Sequence, residues 1–287
     1  MSNNMYPQDF IALILTHGRA ENVVTYKALR SHGYTGPIAL VVDDEDDQYE
    51  KYVQIYGDEV VQFHKAGVVC DTYDNRQERR VILFARNVSF DVAKKLGYRY
   101  FIELDDDYTS FITRFDREGN FKGKKQIDLD AVFCAMVDFL KECKNVSTIA
   151  MAQGGDYVGG GNANRSSKIQ MWRKAMNSFI CDTERRFDFR GRINEDVNTY
   201  TLLGSQGALF FTHNLVCLHQ VETQKSKGGM TGAYVDGGTY VKSFYSVIGM
   251  PSAVKVSVMG NKNMRLHHLV DWRHCVPMIM REDFKKK

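Results

Sequence analysis

The stretch that most restricts the fold is Tyr98–Phe111, YRYFIELDDDYTSF, in which the apolar run Tyr100, Phe101, Ile102 and Leu104 stops abruptly at Asp105, Asp106 and Asp107. A short apolar run followed at once by acids reads as a buried strand that delivers carboxylates to the carboxyl edge of a sheet. In open α/β sheets, ligands bind at that edge. Short Asp side chains offer hard oxygen donors suited to a Mg²⁺ or Mn²⁺ ion that also bridges phosphates. Three adjacent carboxylates at a half-buried strand end repel one another unless something neutralises them. The plain alternative is a solvated acidic turn capping the next segment, so the flanking sequence has to decide.

Upstream, strands and helices alternate. Phe10–Thr16 (FIALILT) is a buried strand with His17, Gly18 and Arg19 as its loop, and Asn22–Ser31 has helical spacing that closes at Gly33. Pro37–Val42 is a second strand ending in Asp43 and Asp44, followed by a helix with Tyr52, Ile55 and Tyr56 on one side. Val60–Phe63 is a third short strand, and Arg76–Leu96 holds one or two helices ended by Gly97. This order predicts an α/β fold with a mainly parallel sheet covered on both faces.

Downstream the pattern becomes irregular. Phe111–Phe121 reads as a hairpin, and Asp128 caps an amphipathic helix running to about Cys143. Thr148–Ala152 is a strand, and Gly154–Ser167, with five glycines, a mobile loop. Order returns over Met171–Ile180. Asn194 caps a helix that starts at Glu195 and Asp196, and Ala208–Phe211 and Leu215–His219 are strand-like. Gln224–Gly238, also with five glycines, reads as a second flexible stretch, and Tyr240–Tyr245 and Ala253–Met259 as the last strands. No internal repeat and no Pro- or Ser-rich linker divides the chain.

At 287 residues, 44% hydrophobic and 25% charged, the chain has the length and composition of a globular protein with a sizeable core. A net charge of +3 is far from the bias of a dedicated nucleic-acid binder. The six cysteines are widely spaced with no CxxC pair, which excludes a zinc ribbon or redox motif and suits buried thiols in a reducing compartment. No apolar segment has the length of a membrane span, and MSNNMYPQDF lacks the features of a signal peptide. A cytoplasmic protein without membrane attachment is expected.

Two phosphate motifs are excluded, because THGRAEN after the first strand is not GxGxxG and no GxxxxGK[ST] occurs. Arg86–Asn87, on a helix just upstream of the acids, places a cation and an amide where they can reach the same edge, and Arg suits a diphosphate. Glu195 and Asp196 open a helix, where the dipole alone is a common reason for acids. The functional alternative is a general base, and with neighbouring helical residues pointing about 100° apart only one of the two faces a site. His219 ends an apolar stretch and can complete a mixed Asp/His metal shell. His267 and His268 are weaker competitors.

Taken together, a strand ending DDD, an upstream ARN, a downstream NED helix start and a later His resemble the nucleotide-sugar glycosyltransferases of the GT-A fold, over Phe10 to roughly His219. More narrowly, FARN…FIELDDDYTSF…NEDVNTYTLLGSQGALFF resembles the phage-type, TET/JBP-associated glycosyltransferases of DNA base hypermodification. The resemblance implies a single GT-A domain over residues 1–287, with about 8–110 binding the nucleotide-sugar and about 111–287 holding acceptor and catalytic groups. It implies that Asp105 and Asp107 hold Mn²⁺ or Mg²⁺, with His219 as a further ligand. Thr16, Arg19, Asp43 or Asp44, Arg86, Asn87 and Asp106 would contact the donor, a UDP-sugar by expectation. Asp196, with Glu195 second, would be the base of an inverting reaction.

The implied acceptor is the hydroxymethyl group of 5-hydroxymethylcytosine or 5-hydroxymethyluracil in DNA. Arg185, Arg186, Arg190 and Arg192, interleaved with Phe187 and Phe189, are the candidate acceptor contacts, with Lys122, Lys124, Lys125, Lys225 and Lys227 as further local charges. A carbohydrate or small-molecule acceptor, a nucleotidyltransferase, and a non-catalytic binder of nucleotide-sugar or DNA stay open as alternatives.

Overall fold

The six residues of strand β1 (Phe10–Leu15) are all buried, and their alternation splits the core in two. Phe10, Ala12 and Ile14 face one apolar layer, and Ile11, Leu13 and Leu15 the other. The computed structural model describes residues 6–74, 81–116, 118, 120–153, 169–170, 177–221, 231–259 and 264–275. The first layer is closed by helices α1 (Val24–Ser31), α2 (Tyr49–Tyr56) and α4 (Leu129–Glu142), the second by α3 (Leu83–Lys95) and α5 (Glu195–Ser205). Helices on both faces explain why the central strands are continuous apolar runs.

The remaining strands are β2 (Ile38–Asp43), β3 (Val60–Phe63), β4 (Tyr100–Asp105), β5 (Tyr108–Phe115), β6 (Phe121–Gln126), β7 (Val146–Gln153), β8 (Ile169–Gln170), β9 (Ser178–Asp182), β10 (Leu209–Gln220), β11 (Val254–Met259) and β12 (Arg265–Val270). The main sheet runs β3-β2-β1-β4-β9-β7-β10-β5-β6, with β8 beside β10. Pairing directions set β3, β2, β1, β4, β7, β10 and β6 one way and β9, β5 and β8 the other. The expected parallel α/β half is present in β3-β2-β1-β4, and the more irregular half begins where β9 slots in antiparallel to β4.

This topology gathers several chain segments at one edge. Leu15 lies opposite Asp105 and Asp43 opposite Phe63, so β1, β2, β3 and β4 end together. The far end of β10 arrives there too, with His219 opposite Ser110 and Gln220 opposite Tyr108. Ala208–Phe211 and Leu215–His219, read as two strands, belong to the one long strand β10, whose register shifts between His213 and Cys217.

The segment Tyr240–Tyr245 is a correction. It lies within helix α6 (Thr231–Gly249), which is interrupted at Gly238 by φ 65° and ψ 176°. Its aromatic and β-branched residues have strand propensity, but burial follows a four-residue spacing: Tyr240, Phe244 and Ile248 are exposed while Ser243, Tyr245 and Ser246 are buried. Helix α6 packs on α5 and on the β11–β12 hairpin, where Ala253, Val254 and Cys275 form a small separate core. The reading of 154–167 as a loop and most of the glycine-rich Gln224–Gly238 stretch lie outside the described residues. No helix among the described residues is long and apolar enough to cross a membrane.

Candidate active site

Strand alternation aims the side chains at the end of β4. Phe101 belongs to the layer closed by α3 and α5, so Glu103 and Asp105, two and four residues on, share its face. There they meet Arg86 of α3, which is 1% exposed. Its Nη2 donates to Asp105 Oδ1 at 2.8 Å, its Nη1 to Glu103 Oε2 at 3.4 Å and its Nε to Glu195 Oε1 at 2.9 Å. The rings of Phe179 and Phe189 flank the guanidinium at 5.4 and 5.6 Å. One cation thus serves three carboxylates. Burial, only partly opposed by Arg86, pushes Glu103 up to about 8. Burial also raises Glu195 and Asp105, against the pull of Arg86.

Asp106 turns the other way, to the loop after β1. Its Oδ2 accepts from Thr16 Oγ1 at 2.8 Å and its Oδ1 from Arg19 Nη1 at 2.5 Å. The Tyr52 hydroxyl ties the same loop, lying 2.9 Å from Thr16 Oγ1 and accepting from Arg19 N at 2.8 Å. Asp107 differs from both neighbours. Its carboxylate forms no ion pair among the described residues, and burial together with the charges of Asp105 and Asp106 pushes it up to about 7. Its carbonyl accepts from Val221 N at 3.0 Å, just past β10, which brings His219 to the same rim. Among the described residues no three His, Cys, Asp or Glu side chains are arranged as a ligand group, so Asp105, Asp107 and His219 share an edge without forming a preassembled triad.

Asn194 precedes α5 in the left-handed region (φ 55°), held by Nδ2 donating to Lys242 O at 2.5 Å. The two acids that follow divide as the helical angle predicts. Glu195 turns to Arg86, whereas Asp196 Oδ1 accepts from Val197 N at 2.8 Å and its charge acts on Asp105. The base candidate and the strand-end acid therefore share one site.

Several expected contacts are already engaged within the protein, Asp43 and Asn87 in the interior and Asp44 at the surface. Asp43 is bound by His17 Nδ1 at 2.8 Å, Lys65 Nζ at 2.8 Å and Glu45 N at 3.1 Å, and Asp44 by His64 Nδ1 at 3.1 Å and Lys65 N at 2.9 Å. Asn87 clamps a backbone segment, donating to Phe189 O at 3.0 Å and accepting from Phe189 N at 2.8 Å. Arg86, expected on the diphosphate, reaches the edge only through Asp105.

The arginine group does not form a free basic strip. Arg185 donates to the carbonyls of Leu140, Cys143 and Val146, closing the end of α4. Arg186 pairs with Asp91 at 2.8 Å, and Arg190 lies 3.9 Å from Asp71. Arg192 is 2% exposed and bonds Asp74 and the Tyr245 hydroxyl, while Phe187 and Phe189 are core residues. The side chains of Lys122, Lys124, Lys125, Lys225 and Lys227 lie outside the described residues.

Sequence reasoning missed His17, Asp46, Tyr52, Lys65, Thr25 and Glu103. Glu103 carried a signal, as a lone charge inside an apolar strand. Asp46, which accepts from Gly18 N at 2.7 Å, and Lys65, 2% exposed, carried none, because their partners lie on other loops.

The doubly covered α/β sheet with acids at the end of β4 is the GT-A fold of glycosyltransferases. The chain belongs to the TET-associated glycosyltransferase family, whose model matches residues 10–229. Among solved structures it is similar to the mannosyltransferase PcManGT of Pyrobaculum calidifontis, solved with GDP-Man and Mn²⁺, at 13% identity and a TM-score of 0.50 over 85% of this chain and 63% of that one. It is also similar to glucosyl-3-phosphoglycerate synthase of Mycobacterium tuberculosis, solved with Mn²⁺ and UDP-Glc, at 11% identity and a TM-score of 0.44 over 91% and 86% of the two chains. GalNAc-T7 gives 11% and 0.43 over 82% of this chain and 49% of that one. The chain thus spans under two thirds of PcManGT and about half of GalNAc-T7. No curated protein matches the sequence.

Proposed function

We propose that the chain is a divalent-cation-dependent glycosyltransferase that moves a sugar from a nucleotide-sugar, a UDP-sugar by first expectation, to a hydroxyl acceptor with inversion. We read residues 1–287 as one GT-A domain with a donor half over about 8–110 and an acceptor half over about 111–287. The observation that carries the reading is the acid end of β4, where Asp105 is held by Arg86 and Asp106 by Arg19 while Asp107, beside them, forms no ion pair among the described residues. Burial and then the charges of Asp105 and Asp106 raise the Asp107 carboxyl, and a bound cation would offset both. The residues present would suit a hard ion: Asp105 and Asp107 would offer carboxylate oxygens, and His219 lies on the adjoining strand end. PcManGT, of the same fold, was solved with GDP-Man and Mn²⁺.

When bound, Mn²⁺ or Mg²⁺ would offset charge developing on the departing diphosphate. The chain's own residues supply positioning and proton transfer. Asp106, through Thr16 and Arg19, locks the loop after β1 to the acid turn, so donor contacts on both move together. Arg86 holds Asp105 and Glu195 at once. With Glu195 so engaged, Asp196 takes the proton of the acceptor hydroxyl. The acceptor oxygen bonds the anomeric carbon as the bond to the diphosphate oxygen breaks, and attack opposite the leaving group inverts that carbon.

For the acceptor we favour the hydroxymethyl group of 5-hydroxymethylcytosine or 5-hydroxymethyluracil in DNA, on the strength of the family alone. A cytoplasmic setting is our reading of the six widely spaced cysteines, which suit a reducing compartment. The test is mass spectrometry of hydroxymethylated DNA incubated with the protein, Mn²⁺ and a panel of nucleotide-sugars. The expected result is a hexose or pentose mass added to DNA and lost on chelation. Sugar transfer only to small carbohydrates overturns the DNA acceptor, and release of pyrophosphate in place of nucleoside diphosphate overturns glycosyl transfer.

A further inference from the structure

We infer that Thr25 is a positioning residue for the cation and diphosphate site, its amide and hydroxyl together pinning the turn that carries Asp105, Asp106 and Asp107. Thr25 is the second residue of α1 and is 0% exposed. Its N–H, unused by the helix because it lies in the first turn, donates to Asp106 O at 3.1 Å. Its hydroxyl donates to Asp105 O at 2.6 Å and accepts from Tyr108 N at 2.8 Å. From the far side, Val221 N donates to Asp107 O at 3.0 Å. The hydroxyl of Tyr108, itself wholly buried, donates to Asn177 O. The backbone of the acid turn is therefore tied at each carbonyl from Asp105 to Asp107 and at the amide that follows.

The need for such a clamp is electrostatic. Repulsion among three successive carboxylates favours other geometries of the turn, whereas Asp105 and Asp107 must stay on one edge for both to serve one ion. Through a single oxygen, the hydroxyl both donates to a carbonyl and accepts from an amide three residues on. Valine keeps the shape of threonine but does neither, alanine loses both bonds and the methyl, and serine keeps both bonds. A buried backbone group left without its partner is costly, so the turn opens instead.

The role rests on the donor reading above, and the test separates the two. Thr25→Val, Thr25→Ala and Thr25→Ser are compared with the wild type by amide hydrogen exchange at Tyr108 in metal-free protein, by calorimetric titration with Mn²⁺ in the presence of UDP, and by thermal melting. Val and Ala should exchange the Tyr108 amide roughly tenfold faster and bind Mn²⁺ roughly tenfold more weakly, the factor that about 1.4 kcal/mol represents. Ser should stay within about threefold of wild type in both. Ser and Ala both lack the methyl, so their difference isolates the hydroxyl.

Wild-type exchange and Mn²⁺ affinity in Val and Ala overturn the proposal. So does failure of both to fold when Ser folds, which would make the hydroxyl a folding element. A wild type that binds neither Mn²⁺ nor UDP overturns the donor reading and this role with it, while faster exchange confined to Val and Ala would then leave Thr25 a structural residue of the turn.

Discussion

Arg86 Nε and Glu195 Oε1 meet at 2.9 Å across 109 residues of sequence, and through this contact the helix before the acid strand grips the start of the helix that carries the proposed base. Because Arg86 also holds Asp105 at 2.8 Å, the two acids are fixed relative to each other by one buried cation. Charge at one end of this bridge is felt at the other.

Removing the cation strips Glu103, Asp105 and Glu195 of the partner they share. Arg86→Met should cost about 3–5 kcal/mol, the range for a buried pair broken on one side. Arg86→Lys retains charge but offers a point in place of a fork, so it should recover part of the stability and little of the turnover. Urea melts and donor turnover on the two variants check this. A Met variant as stable as wild type would show that the cluster is held by something other than Arg86.

The two acids of α5 should separate by role. Asp196→Asn should lower transfer by about 10²–10⁴, the usual reach of a general base, with affinity for UDP unchanged. Glu195→Gln retains an acceptor oxygen for Arg86 Nε, so its loss should be smaller and should appear in stability as well as rate. Steady-state rates beside UDP titrations distinguish them. Equal loss in both, or full activity in Asp196→Asn, moves the base elsewhere.

Asp107 links pH, metal and stability. Its folded value, about 7, lies above the ordinary 3.8, so the folded metal-free protein prefers the protonated acid. That contribution is fully present below 3.8 and is lost as pH climbs through about 7. Asp107→Asn, which cannot ionise, should melt near wild type at pH 4 and roughly 2–4 °C higher at pH 8. Mn²⁺ should stabilise the wild type at pH 8 and leave the Asn variant unmoved. Melts at the two pH values, with and without Mn²⁺, read this directly, and a variant that is less stable at pH 8 would contradict the repulsion.

Local signals made the first half of the fold legible. The unbroken apolar runs of β1 and β4 stand out, and Asp105–Asp107 and Asn194–Glu195–Asp196 sit where strand end and helix start are readable from neighbours. Tertiary partners were not legible. Nothing near Glu195 announces Arg86, and nothing near Thr25 announces the acid turn. The arginines from Arg185 to Arg192 look alike in sequence whether they meet phosphates or, as Arg185 does, the carbonyls that end α4. Tyr240–Tyr245 misled because strand propensity and a helical burial pattern coexist there, in a helix packed on β11, β12 and α5.

The inward-turned Asp43 supplies a second pH signature, of opposite origin. The bond to Asp43 raises His17 above its ordinary 6.5, against the cost of burial. Despite its own burial, Asp43 is held below the usual carboxylate value by His17 and Lys65. The His17 contribution is fully present below 6.5 and lost as pH rises through the raised folded value. The Asp43 contribution is present above 3.8 and lost as pH falls through the depressed one. The pair is therefore strongest between those limits. His17→Asn should melt roughly 2–4 °C below wild type at pH 5.5 and close to it at pH 8.5, since Lys65 still neutralises Asp43 at 2.8 Å. Asp43→Asn should be worse at both values, because it strips the 2%-exposed Lys65 of its nearest carboxylate. Thermal melts across that range check both, and a His17→Asn deficit that does not change with pH would mean the ring acts by packing rather than by charge.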